Sequence, residues 1–94
     1  MNHEQTVSQL GGMGKCQAMV GAKFSKDENS LYMRFKGSRS LNSVVITLNP
    51  LDFYDVVFSK ATVKGLQNVK KFTGIYGDML KGLFEETTGL YLSF

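Results

Sequence analysis

Val44-Val45-Ile46-Thr47-Leu48, then Asn49-Pro50-Leu51-Asp52, then Tyr54-Asp55-Val56-Val57-Phe58: the reading of this stretch decides the fold. The first run is dominated by β-branched side chains, which fit a pleated backbone and pack well on it. Asparagine followed by proline starts a turn and removes the donor that the next rung of a ladder would need. In the third run Tyr54, Val56 and Phe58 alternate with Asp55, Val57 and Ser59, the period of a strand with one buried face. Strands joined by so short a turn pair antiparallel, so residues 44–48 and 54–58 are predicted to form a hairpin.

Working outward toward the N-terminus, Leu31, Met33 and Phe35 alternate with Tyr32, Arg34 and Lys36, an apolar-in, polar-out pattern that predicts another strand. The polar run Lys26-Asp27-Glu28-Asn29 precedes it as a turn, and Gly37-Ser38-Arg39-Ser40 leads from it toward Val44. Ala18, Val20, Ala22 and Phe24 also fall at alternate positions, which predicts a strand over residues 17–24. Before that, Glu4, Val7 and Leu10 lie at helical spacing and Gly11-Gly12 follows, so a short helix is expected to end there.

Toward the C-terminus, a lysine-bearing loop is expected near residues 62–65 and a fifth strand over residues 69–75. From Asp78 to Thr88 the period changes: Met79, Leu80, Leu83 and Phe84 share one helical face, and Lys81, Glu85 and Glu86 the other. Asp78 is positioned to cap this helix and Gly89 to stop it. Tyr91 to Phe94 is apolar enough to pack back on the sheet or to pair at its edge. The expected fold class is α+β: a short N-terminal helix, an antiparallel sheet of about five strands, and a C-terminal helix packed on one face.

Ninety-four residues suffice for one hydrophobic core, so a single domain over residues 1–94 is expected. Hydrophobic residues make up 43% of the chain and charged ones 20%, an ordinary globular balance that excludes a disordered chain. The one cysteine, Cys16, leaves no internal disulfide, as is usual in a reducing compartment. The first residues lack the basic and apolar runs of a signal peptide, and no apolar segment approaches the roughly 20 residues that span a bilayer. A cytoplasmic protein that does not enter membranes is expected. The net charge is +3, with four lysines and no acid between Lys60 and Lys71, and acids concentrated at Asp78, Glu85 and Glu86.

Catalytic chemistry finds few carriers. Gly11-Gly12-Met13-Gly14-Lys15 has the residue types of a phosphate-binding loop, but its spacing is wrong, Cys16 follows the lysine, and no buried strand precedes it. It is expected to be a flexible connection between helix and strand. The sole histidine, His3, sits where the chain is expected to be mobile, so no triad or zinc site can be assembled. Cys16 reads as a small buried hydrophobe, and Asp52 and Asp55 as turn-capping or edge-solvating groups. No enzyme, metal or cofactor is expected.

Binding has better candidates. Tyr32, Arg34 and Lys36 stand in a row on the outward side of their strand, with Arg39 just beyond. Aromatic and basic side chains on a solvated sheet face stack bases and pair phosphates in single-strand nucleic-acid platforms. Tyrosine and arginine also anchor protein interfaces, against a protein partner or a second copy of the chain.

The sequence resembles a group of short proteins encoded by tailed phages and prophages. The likeness lies in Leu10-Gly11-Gly12, in Gln17-Ala18-Met19-Val20-Gly21-Ala22-Lys23-Phe24, in Asn29-Ser30-Leu31 with Phe35-Lys36, in Val45-Ile46-Thr47-Leu48 and Tyr54-Asp55-Val56-Val57-Phe58, and in Gly74-Ile75-Tyr76 and Thr88-Gly89-Leu90-Tyr91. The glycine-rich loop of that group is shorter here. The resemblance implies an origin in a mobile element and brings no catalytic residues. Phage genomes keep many small proteins that bind and block a host component, anti-CRISPR proteins among them. The expected function is therefore stoichiometric binding to a host protein or complex in the bacterial cytoplasm, with single-stranded nucleic-acid binding as the alternative.

Overall fold

The computed structural model describes residues 1–91. In chain order its elements are α1 (His3–Gln9), α2 (Met13–Val20), β1 (Lys23–Lys26), β2 (Ser30–Arg34), β3 (Ser43–Leu48), β4 (Tyr54–Thr62), β5 (Gly65–Ile75), a 3-10 turn (Gly77–Met79) and α3 (Leu80–Thr88). The α+β architecture is as expected: the strands form one antiparallel sheet in the order β1-β2-β3-β4-β5, each beside its neighbour in sequence.

The β3–β4 hairpin pairs Val44 with Phe58, Ile46 with Val56 and Leu48 with Tyr54. Its turn is organised by Asn49, whose side-chain oxygen accepts from the amides of Leu51 (2.9 Å) and Phe53 (3.2 Å). The Asn49 amide nitrogen donates to Asp55 at 3.3 Å, while Asp52 supplies the left-handed residue of the turn at φ 64°. The asparagine is the centre of this turn, with Asp55 as the acceptor of its side-chain amide.

The sequence expectation fails at residues 17–24, where α2 runs to Val20 and the strand begins only at Lys23. Cys16 and Val20, four residues apart, share the buried stripe, and Ala18 and Met19 are exposed. Lys15, Gln17, Ala18 and Met19 are good helix formers, and Gly21 ends the helix in the left-handed region at φ 62°. The glycine-rich segment before it is the start of α2, not a flexible link: Gly12 takes φ 93° and its carbonyl accepts the first helical bond from Cys16. The alternation of Ala18, Val20, Ala22 and Phe24 spans a helix end and a strand start.

Two smaller corrections fall near the C-terminus. Residues 62–65 make a two-residue turn, not a loop, and β5 starts at Gly65 rather than at residue 69. Asp78 caps nothing: Met79 precedes α3, and no side chain bonds to the helix start. Gly89 does stop α3, at φ 73°. Leu80 and Phe84 are buried as expected, and Leu83 is half-buried. Tyr91 is exposed, and the rest of the segment expected to pack on the sheet lies outside the described residues.

One core joins the helices to one side of the sheet. Val7 of α1 and Leu10 just past its end, Cys16 and Val20 of α2, and Leu80 and Phe84 of α3 meet Leu31, Met33, Phe35, Val44, Ile46, Val56 and Phe58. Phe84 packs edge-on against Phe35 with ring centres 5.0 Å apart. Each such side chain withdrawn from water stabilises the fold by about 1.5–3 kcal/mol.

Candidate binding surface

Packing all the helices on one side leaves the other side of the sheet uncovered among the described residues. Because partners across a ladder share a side, the register assigns that side its residues. Lys23 lies opposite Arg34, and Ser25 opposite Tyr32. Tyr32 is in turn opposite Val45, Val45 opposite Val57, and Val57 opposite Lys71. Farther along, Ala61 faces Leu66. The uncovered face thus has an apolar middle, Val45, Val57, Ala61 and Leu66, between cations on β1–β2 and a lysine on β5.

Of the four residues singled out in the sequence, the structure brings three together. Tyr32 and Arg34 line a depression of about 420 Å³ with Lys23, Ser25 and Ser43. Arg34 and Lys23 also line an adjoining hollow of about 240 Å³ with Lys36 and Asn42. Lys36 is fixed where β2 ends: its amide donates to the Val20 carbonyl at 2.8 Å. Arg39 lines neither hollow. It lies in the loop between β2 and β3, where its carbonyl accepts from Lys60 Nζ at 2.7 Å.

Sequence reading missed Lys23, because residues 17–24 were given one continuous strand and its register against Arg34 was lost. It also missed Val45 and Val57. The signal was available, since Val44-Val45-Ile46 and Val56-Val57-Phe58 place an apolar residue on each side of the strand, more than one buried face requires.

Two electrostatic features shape the surface. Lys23 and Arg34 are like charges directly opposite each other, an arrangement that disfavours pairing, and no carboxylate among the described residues forms an ion pair with either. Tyr32, in contrast, is tied down: its hydroxyl donates to Asp27 Oδ2 at 2.7 Å. That bond holds the Asp27 carboxyl below its usual range, with smaller help from the Asn29 and Ser30 amides and His3, against a partial desolvation that raises it. The same bond and the carboxylate charge push the Tyr32 phenol up.

His3 is hydrogen-bonded to the β1–β2 turn. Its Nε2 lies 2.6 Å from the Asp27 carbonyl and 3.1 Å from that of Ser30; carbonyls only accept, so the proton sits on Nε2. Cys16 is fully buried, and burial pushes its thiol up, away from reactivity. A cleft of about 510 Å³ between α1 and β1 is lined by His3, Glu4, Val7, Met13, Phe24 and Lys26 among others, and reaches the uncovered face at Ser25. Among the described residues no cluster of three or more His, Cys, Asp or Glu side chains is placed to hold a metal ion. No helix among them is long and apolar enough to cross a membrane.

Compared with known protein families, with characterised proteins and with solved structures, the chain matches none.

Proposed function

We propose that the chain is a stoichiometric binding protein that docks the uncovered face of its sheet onto an acidic surface of a host protein or protein complex and blocks it. The supporting observation is the order of side chains across that face: an apolar middle of Val45 and Val57, flanked by Lys23, Arg34 and Lys36 on one side and Lys71 on the other. Protein interfaces have this anatomy, with an apolar centre, a charged rim, and tyrosine and arginine as anchors. The uncompensated Lys23–Arg34 pair suits a partner carboxylate seated between them. Strands about 4.8 Å apart and from 4 to 11 residues long give a platform of roughly 550 Å², to which flanking loops must add to reach the roughly 800 Å² per partner that stable complexes bury. With the resemblance to short phage and prophage proteins, this supports a counter-defence inhibitor of the anti-CRISPR kind, acting in the host cytoplasm without turnover.

Single-stranded nucleic acid is the less favoured occupant of this face. Tyr32 is the aromatic residue there, and the Asp27 carboxylate bonded to it would repel the phosphates of a stacked strand.

The test is size-exclusion chromatography with the host target. The expected result is a complex of fixed ratio that the double substitution Tyr32→Ala, Arg34→Ala disperses while the circular dichroism spectrum stays native. Unchanged complex formation by that variant would overturn the assignment of this face. Salt-sensitive single-strand binding abolished by Arg34→Ala would favour nucleic acid, and a self-complex lost in the same variant would favour a homodimer.

A further inference from the structure

The hairpin of β4 and β5 carries a second charged surface, whose cations, Lys71 apart, lie outside the proposed docking face. Ser59 is the last residue of β4 that pairs with β3. Beyond it, residues 60–62 and 65–69 continue as a two-stranded ribbon. Such ribbons are marginal in water by themselves, and every residue of β5 from Gly65 to Lys71 is exposed, so this arm adds little to the core. It is nonetheless braced. Besides the Lys60 bond to the Arg39 carbonyl, Asn68 Nδ2 donates to the Ser40 carbonyl at 3.1 Å. Asn42 clasps the backbone of Ala61, accepting from its amide at 2.8 Å and donating to its carbonyl at 3.1 Å. The arm is held in place outside the core.

What it holds out is positive charge. Lys60 and Lys64 lie on it, Lys70 and Lys71 stand at its base opposite Phe58 and Val57, the Arg39 carbonyl is bonded to Lys60, and no Asp or Glu occurs between residues 56 and 77. Lys70 is opposite Phe58, which places it on the helix side of the sheet, and Lys60, two residues beyond Phe58, shares that side. Lys71, opposite Val57, stands on the uncovered side, and Lys64 is in the turn. The cations therefore stand on both sides of the ribbon's base and in the turn at its tip.

We propose that this arm, with Arg39, enters a groove of double-stranded nucleic acid and contacts phosphates on both walls without reading sequence. A B-form major groove about 12 Å wide admits a two-stranded ribbon, and a duplex carries one negative charge per roughly 1.7 Å of axis. Charge on both sides of a ribbon matches two phosphate walls; a flat lipid surface would meet one side only. Residues 60–71 include no aromatic side chain, so the arm offers no stacking platform for unpaired bases.

The test is fluorescence anisotropy of a labelled duplex DNA oligonucleotide titrated with the protein at increasing salt. Contact with three to five phosphates gives a slope of log K against log salt of about −3 to −5. The double variant Lys64→Ala, Lys70→Ala removes two exposed cations and should lower the slope magnitude by about 2. The variant Tyr32→Ala, Arg34→Ala should leave duplex binding unchanged, which separates the arm from the docking face. Absence of duplex binding at low salt, a preference for the matching single strand, or a slope unaltered in the lysine variant would each overturn the proposal. So would binding to phosphatidylserine vesicles with none to duplex.

Discussion

Tyr32 and Asp27 show how one exposed hydrogen bond sets the character of a surface. In the Tyr32→Phe variant the main influence that holds the Asp27 carboxyl down is gone, so its pKa should rise toward the ordinary aspartate value, as a carboxyl-carbon NMR titration would record. The native pKa lies below the unfolded one. The stabilisation from this contact is therefore complete above the unfolded aspartate pKa and is lost as pH falls through the native one. Cys16 makes the opposite case. Fully buried and with its thiol pushed up, it should react with a disulfide reagent orders of magnitude more slowly in the native protein than in guanidinium; equal rates would contradict the burial. Phe84, buried against Phe35 and Phe58, should cost about 3–5 kcal/mol when replaced by alanine, measured by urea unfolding.

At the scale of elements, Asn42 joins loop to ribbon. Asn42→Ala would leave the Ala61 amide and carbonyl without their partner, a loss of about 1–3 kcal/mol. Amide exchange at Ala61 should accelerate far more than at Ile46 in the middle of the sheet. Legibility in the sequence also divided by element. Strands with one buried face, β2, β3 and the first half of β4, were readable because alternation follows directly from burial. β5 was readable only over residues 69–75, because two bulges interrupt its alternation: the register slips between Phe58 and Lys60 and again between Tyr54 and Val56, near Asn68 (φ 55°) and Gly74 (φ 66°). α2 was obscured by two coincidences, apolar residues that alternate across its end and glycines that resemble a loop while bounding a helix. Of the candidate site, Tyr32 and Arg34 were readable from one strand. Lys23, Val45 and Val57 needed the register, which no single strand contains. The position of Arg39 needed the loop's path, which depends on what binds it, here Lys60 and, through Ser40, Asn68.

For the whole molecule, one core reaches all three described helices and one side of all five strands, so unfolding should be cooperative. Tyrosine fluorescence and far-ultraviolet circular dichroism should report a single coincident transition in urea. Two separate transitions would mean that the β4–β5 hairpin melts by itself. The neighbour-to-neighbour strand order has a kinetic consequence. The connections within the sheet range from two residues between β4 and β5 to eight between β2 and β3, so each pairing closes a short loop at small entropic cost. The sheet can zip from any of its hairpins. The slow steps are then the distant closures, α1 docking where the Thr6 and Tyr54 hydroxyls come within 3.0 Å and α3 docking where Phe84 meets Phe35. A chain built this way reaches its native state in milliseconds rather than seconds, leaving little time for its long edge strand to meet the edge of another molecule.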